Sequence, residues 1–363
     1  MWFLIRIRNT YKLFDNESIV AKSRNERRKR TTQTQVAKHA GVSQAIVSYV
    51  LNGHSAEVAE ETRERVLRAI DELGYVPDGS ARSLRTRKTM TLALIIPDIT
   101  NPFYPSMERG IQRVAEEHGY DLIVSNTDGI AEKESHALHS LLRGHVDGAV
   151  MTPFQVDHAR IQAAVNAGIA IAMNIPANEE LMKIGVDFIN SDTYPAAQMA
   201  VEYLIGRGHK RIGMIAGIPG TPPREQRVSG FIDTLRRYGL PHDDVLIRGA
   251  DYREAGGYEA MVELLKLDPR PTAVFAANDL MALGAMIAIR EAGLSIPDDM
   301  AIIGLDDIPA ARLVHPALTT VAQHAEVIGT IAANLVISRL SGLAPSTGRF
   351  VEEPVELIVR DSA

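Results

Sequence analysis

The chain contains no cysteine, one tryptophan and only 5% aromatic residues in 363. Disulfides and thiolate metal sites are therefore excluded. No apolar run approaches the roughly 20 residues that span a bilayer, so no membrane partner is expected. Met1 to Ile5 is apolar but too short for a signal-peptide core, and no small-residue cleavage site follows it. A cytoplasmic location is the corresponding expectation. Several catalytic signatures are also missing. No GxGxxG follows the first candidate strand, there is no GxxxxGK[ST] phosphate loop, and there is no HExxH. The acidic pair Asp306/Asp307 has no accompanying nucleophile motif. No enzyme, cofactor or metal site is expected.

What is present is a chain 45% hydrophobic and long enough for two or three domains. Its net charge of −6 hides an asymmetry. Residues 1–90 hold 17 Lys/Arg against 10 Asp/Glu, a surplus of seven positive charges, and the rest is strongly acidic. A basic head on an acidic body suits a polyanion bound at one end, although a basic tail on an unrelated protein has the same signature.

The stretch from Val36 to Asn52, VAKHAGVSQAIVSYVLN, reads as two short helices joined by a tight turn. Val36, Ala37 and Ala40 form the buried face of the first. Gly41 makes the turn, and Ser43 N-caps the second helix. Ile46, Val47, Val50 and Leu51 recur at helical spacing as a buried stripe. That leaves Gln44, Ala45, Ser48 and Tyr49 on the exposed face, the layout of a helix that reads a major groove. A plain helical hairpin has the same spacing.

Around this core the chain divides into four segments. Residues 1–30 are a basic extension containing KSRNERRKR, expected to be disordered. Residues 31–76 form an all-α head, closed by a third amphipathic helix over Glu60 to Leu73 with Gly74 as its C-terminal stop. Residues 77–90 form a linker with the basic segment ARSLRTRK, too short to be a stable isolated helix. From residue 91 to 363 strands and helices alternate. Leu92–Pro97, Asp121–Ser125, Gly148–Thr152, Ile169–Asn174, Arg211–Ala216, Val245–Ile247, Ala273–Ala276 and Ala301–Gly304 are the candidate strands. Continuous apolar strands between helices imply parallel sheet covered on both faces. The series is too long for one ordinary sheet, so two α/β lobes are expected. Ligands in such sheets bind beyond the carboxyl ends of strands. Those ends are polar here: Asp98, Asn101, Asn126, Thr127, Asn174, Asn278, Asp279, Asp306 and Asp307.

Over residues 32–360 the chain resembles the lactose-repressor/galactose-repressor (LacI/GalR) family of bacterial transcription regulators. The resemblance rests on motifs in order: VAKHAGVSQAIVSYVLNG, ETRERVLRAIDELGYVPD, ARSLRT, IPDITNPFY, GHKRIGMIAG, RVSGFIDTLRRYGL, PTAVFAANDLMALGAM, IIGLDD and PALTTV. It implies a helix-turn-helix head on a two-lobed, periplasmic-binding-protein-like α/β body. A homodimer would bind an inverted-repeat operator in double-stranded DNA, with an effector, a sugar or sugar derivative, in the cleft.

The resemblance also implies residue roles. Gln44, Ala45 and Tyr49 match base-reading positions, and Ser43, Ser48 and Asn52 match phosphate-contacting ones. Many relatives carry Arg where Tyr49 stands, and Tyr cannot make Arg's paired contact with guanine. Leu84 matches a residue that wedges into a minor-groove step, with Ala81 beside it. Arg227, Asn278 and Asp306 match ligand positions, and Phe103, Tyr104, Asn174, Asp187 and Tyr252 match other pocket positions. Ala59 stands where relatives often have a capping Ser, and His324 replaces a common Pro. Two other classes fit the α/β body alone: a doubly wound enzyme, and a sugar-binding protein without a regulatory role.

Overall fold

The computed structural model describes residues 31–51, 58–76, 88–143 and 145–363. The chain divides into two compact units between residues 82 and 83. The expectations for residues 1–30 and for Asn52, Ala81 and Leu84 lie outside the described residues.

Among the described residues the first unit holds three helices: α1 (Gln33–Ala40), α2 (Gln44–Leu51) and α3 (Glu60–Leu73). Thr32 opens α1 with a capping box, its side chain and that of Gln35 each serving the other's backbone amide. Gly41 takes φ 67°, the left-handed turn that glycine adopts without a Cβ penalty. The Ser43 hydroxyl accepts from the Ile46 amide at 3.4 Å, so the expected cap is present, though long. The core is small: Val36, Ala37, Ala40, Val47, Val66 and Ala69. Of the expected α2 stripe only Val47 is fully buried. Ile46, Val50 and Leu51 are half-buried, since three short helices cannot enclose a whole face. The third helix has the expected bounds, and Ala59 leaves its N-terminus without a side-chain cap.

The second unit contains two six-stranded sheets, as the length of the alternation implies. The first runs in the order β11-β5-β4-β3-β1-β2. Its strands are β1 (Thr91–Ile96), β2 (Asp121–Asn126), β3 (Gly148–Met151), β4 (Ala170–Asn174), β5 (Asp187–Asn190) and β11 (Phe350–Glu352). All its pairings are parallel. Helices α4 (Phe103–Glu117), α5 (Ala131–Leu141), α6 (His158–Asn166) and α7 (Glu179–Lys183) occupy its connections.

The second sheet runs β12-β10-β9-β8-β6-β7. Its strands are β6 (Ile212–Ala216), β7 (Ile247–Gly249), β8 (Ala273–Ala276), β9 (Ala301–Asp306), β10 (Thr319–Ala322) and β12 (Glu356–Ile358). Helices α8 (Thr193–Gly206), α9 (Pro222–Arg237), α10 (Glu254–Leu265) and α11 (Asp279–Glu291) connect them. Only β12 is antiparallel. Strand β7 begins later than expected, because Asp244–Leu246 forms a 3-10 turn that uses up the first apolar residues.

The chain crosses between lobes three times: after β5, after β10 through α12 (Ala325–Leu340), and between β11 and β12. Helix α12 returns to pack on the first lobe against α4. Their backbones meet at Gly110 and Gly329. A Cβ on Gly329 would lie 2.0 Å from the Met107 carbonyl, and one on Gly110 would lie 2.1 Å from that of Glu326. Only glycine permits that approach.

Candidate functional site

The two sheets point the carboxyl ends of their strands at a shared cleft with an empty volume of about 1030 Å³, including its mouth. Its walls are the loops that follow strands and the first turns of the helices after them, as expected for such sheets. Phe103, Tyr104, Asn174, Arg227, Tyr252, Asn278 and Asp306 all line it. Of the polar strand ends, Asp98 and Asn101 line it too.

Asp187 does not, and its expected place in the pocket is corrected. It lies wholly buried in β5, where its carboxylate accepts from Nε and Nη2 of both Arg339 and Arg349 and from the Arg349 amide, at 2.8–3.1 Å. Burial pushes the carboxyl up, but the two arginines outweigh it and hold Asp187 below the ordinary carboxylate range. Its lone pairs are committed to tying α12 and β11 to β5, with none left for a ligand.

The floor of the cleft is built around Arg227 and Asp306. Arg227 comes from α9 and is 7% exposed. Its Nη1 donates to the Ala277 carbonyl at 2.6 Å, its guanidinium lies 5.8 Å from the Tyr252 ring centre, and its Nε has no hydrogen-bond partner among the described residues. Asp306 ends β9 with φ 126°, strained for a residue with a side chain. Burial pushes its carboxyl well above the ordinary value, against the pull of Arg227. Gln323 donates to Asp306 at 2.5 Å and accepts from the Ser191 hydroxyl at 2.5 Å. Ser191 and Gln323 follow β5 and β10, so the floor is tied to two of the three lobe crossings.

Asn278 lines the cleft while also acting as a scaffold. Its Oδ1 caps α11 through the Met281 amide, and its Nδ2 donates to the Tyr252 carbonyl at 2.9 Å. Tyr252 is thereby held at φ 67°. Burial raises its phenol above the usual value. On the first lobe, Phe103 and Tyr104 meet edge-to-face at 5.2 Å.

Several wall residues were missed by sequence reasoning. Phe154 packs against Tyr252 across the cleft at 5.7 Å. Its loop is held by Glu134, a buried carboxylate that accepts from the Phe154 and Gln155 amides at 2.8 and 2.9 Å. Burial raises the Glu134 carboxyl despite those bonds. Arg253 reaches across the mouth and donates twice to Asp98 Oδ2, at 3.0 and 2.9 Å. These contacts join loops about a hundred residues apart or more, or depend on a backbone amide, and no local pattern marks either kind.

On the head, Gln44, Ala45 and Tyr49 are exposed on α2 and Ser48 is half-buried. Gln44 Nε2 donates to the Thr34 hydroxyl on α1, which steadies it.

Residues 32–78 match the family described as bacterial regulatory proteins, lacI family. Residues 201–363 match the periplasmic binding protein-like domain. Catabolite control protein A of Priestia megaterium is 36% identical over 304 residues, 83% of this chain and 90% of that protein. This chain belongs to the lacI family. The family consists of DNA-binding transcription regulators rather than enzymes, and the chain is a ligand-responsive regulator of this kind. Among solved lacI-family structures, the lac repressor dimer bound to operator and the anti-inducer ONPF matches with a TM-score of 0.79 at 26% identity, covering 92% of this chain and 99% of that one. A cellobiose complex of the regulator CelR matches with a TM-score of 0.69 at 32% identity, over 92% and 100%.

Proposed function

We propose that the chain is a repressor whose cleft binds a neutral sugar or sugar derivative and whose operator affinity changes with occupancy. The observation that carries this is the pairing, on one buried floor, of the Arg227 guanidinium and the Asp306 carboxylate, walled by Phe103, Tyr104, Phe154 and Tyr252. Adjacent hydroxyls accept from the one and donate to the other, while aromatic faces cover the ring. The cellobiose complex of the similar regulator favours the same chemistry. Asn174 and Asn278 complete the polar contacts.

The four segments read from the sequence carry the corresponding roles: extension 1–30, DNA-binding head 31–76, linker 77–90 and effector body 91–363. Gln44, Ala45 and Tyr49 read bases. Ser43, Ser48 and Asn52 contact phosphates, and Ala81 and Leu84 enter the minor groove. A homodimer places two heads on the halves of an inverted repeat. Closure of the lobes alters the spacing of the two linkers, so ligand and DNA affinities are coupled reciprocally. Regulation of transcription places the protein in the cytoplasm. No helix among the described residues is long and apolar enough to cross a membrane.

The test is a thermal-shift screen of the full chain against cellobiose, ribose, sugar acids and nucleosides, repeated with Arg227→Ala. A ligand at a hundred times its Kd stabilises by about 2.7 kcal/mol. The wild type is expected to shift with a neutral sugar and the variant to lose the shift while keeping its DNA binding. A wild type that shifts with none of them, or a variant that shifts equally, overturns the assignment.

A further inference from the structure

The body begins, on its described side, with Lys88, Thr89 and Met90, the residues through which the linker joins β1. One carboxylate holds this junction. Asp147 Oδ1 accepts from the Thr89 amide at 2.7 Å and from its hydroxyl at 2.9 Å, and Oδ2 accepts from the Met90 amide at 2.9 Å. The Asp147 backbone is engaged as well: its amide donates to the Thr91 carbonyl and its carbonyl accepts from the Ala170 amide. Met90 is held at φ 54°, a left-handed conformation that a methionine does not adopt freely. Its carbonyl accepts from the Asp121 amide. The junction is thus fixed in direction by bonds to Asp147, the residue before β3, and from Asp121 of β2, with Asp147 itself held by Ala170 of β4.

Asp147 also stands immediately before β3, a fully buried strand paired on both sides. The residues that follow β3 are Thr152, Pro153 and Phe154, all in the cleft wall. Thr152 Oγ1 is buried there without a hydrogen-bond partner among the described residues. The linker anchor and one wall of the ligand site are therefore the two ends of a single four-residue strand.

We infer that Asp147 is a positioning residue for operator recognition: its carboxylate sets where and in which direction the linker leaves the body. This rests on the regulatory reading above. Specific binding needs two heads at a fixed spacing, and a linker that leaves each body from a loose origin spends that definition. Nonspecific binding needs only charge.

The experiment uses the full chain and a duplex enriched by the wild type from a random-sequence pool, with an unrelated duplex of equal length as control. Asp147→Ala is expected to weaken the enriched duplex about tenfold, within the usual range of coupling effects, and to leave the control duplex unchanged. Asp147→Asn keeps an acceptor for Thr89 but turns an amide toward the Met90 N–H, so it is expected to fall between. A general loss of folding would weaken both duplexes together, and urea unfolding of each variant identifies that case. Equal affinity of the wild type and Asp147→Ala for the enriched duplex, or parallel losses on both duplexes, overturns the role of Asp147 alone. A wild type that enriches no sequence overturns the regulatory reading and this inference with it.

Discussion

At the scale of single residues, Asp187 shows how a carboxylate's surroundings decide its role. In sequence it has the type and position of a ligand contact. In the structure it is saturated by two arginines and a backbone amide. Asp187→Asn leaves both guanidiniums without their charge partner, and is expected to cost about 3–5 kcal/mol, as for other broken buried pairs. Urea unfolding at neutral pH checks this. The sign of the pH effect follows from its lowered pKa: the stabilisation is present above the unfolded value of about 3.9 and is lost as pH falls through the folded one. The wild type should therefore lose more stability than the variant below about pH 4. Unchanged stability in Asp187→Asn together with a lost sugar response would restore the ligand assignment.

Glu134 and Gln323 are the reverse case, since neither stands out in sequence. Each matters because of what its polar atoms reach through space, Phe154's amide in one instance and Asp306 in the other.

At the scale of elements, the three helices of the head were legible, although α1 begins at Gln33, behind a Thr32 cap, rather than at Val36. Their signals are local: a 3.6-residue apolar period, a capping Ser43, and the left-handed glycines Gly41 and Gly74. The third helix shows the limit of that economy. Ala59 has the extended backbone of an N-cap, φ −56° and ψ 137°, but no side chain to serve the free amides. Ala59→Ser is expected to stabilise the helix by about 1 kcal/mol, slowing exchange of its core amides roughly fivefold. Hydrogen exchange followed by mass spectrometry reads this directly, and unchanged rates would show that the amides are already satisfied.

Strands were less legible. The apolar ones, β1, β3, β4, β6, β8 and β9, stand out as continuous hydrophobic runs. Strand β5 begins and ends in polar residues, and β11 and β12 are three-residue, partly exposed edges. Their pairing partners are supplied only by the finished sheet.

At the scale of the whole molecule, the cleft depends on where the chain crosses between lobes. Loops from two sheets converge there because β5, β10 and β11 hand the chain across. Removal of residues 1–88 tests the division of labour. The remaining body is expected to keep its thermal shift with the sugar that stabilises the full chain and to lose DNA binding entirely, as followed by fluorescence anisotropy. A truncated chain that still binds the enriched duplex would place DNA contacts in the body.

The sequence by itself determined the class of the protein. Periodicity, caps and glycine turns act over a few residues, so a helix-turn-helix head and an alternating α/β body are written locally. It also marked Asn278 and Asp306 as polar strand ends that line the cleft, whereas Arg227, inside α9, was implied only by the family resemblance. Only the tertiary structure decided which polar groups remain available. Asp187 is consumed by arginines, Asn278 is half-committed to Tyr252, and Asp147 is committed to the linker junction. Availability depends on burial and on partners distant in sequence, and neither exists until the sheets have formed.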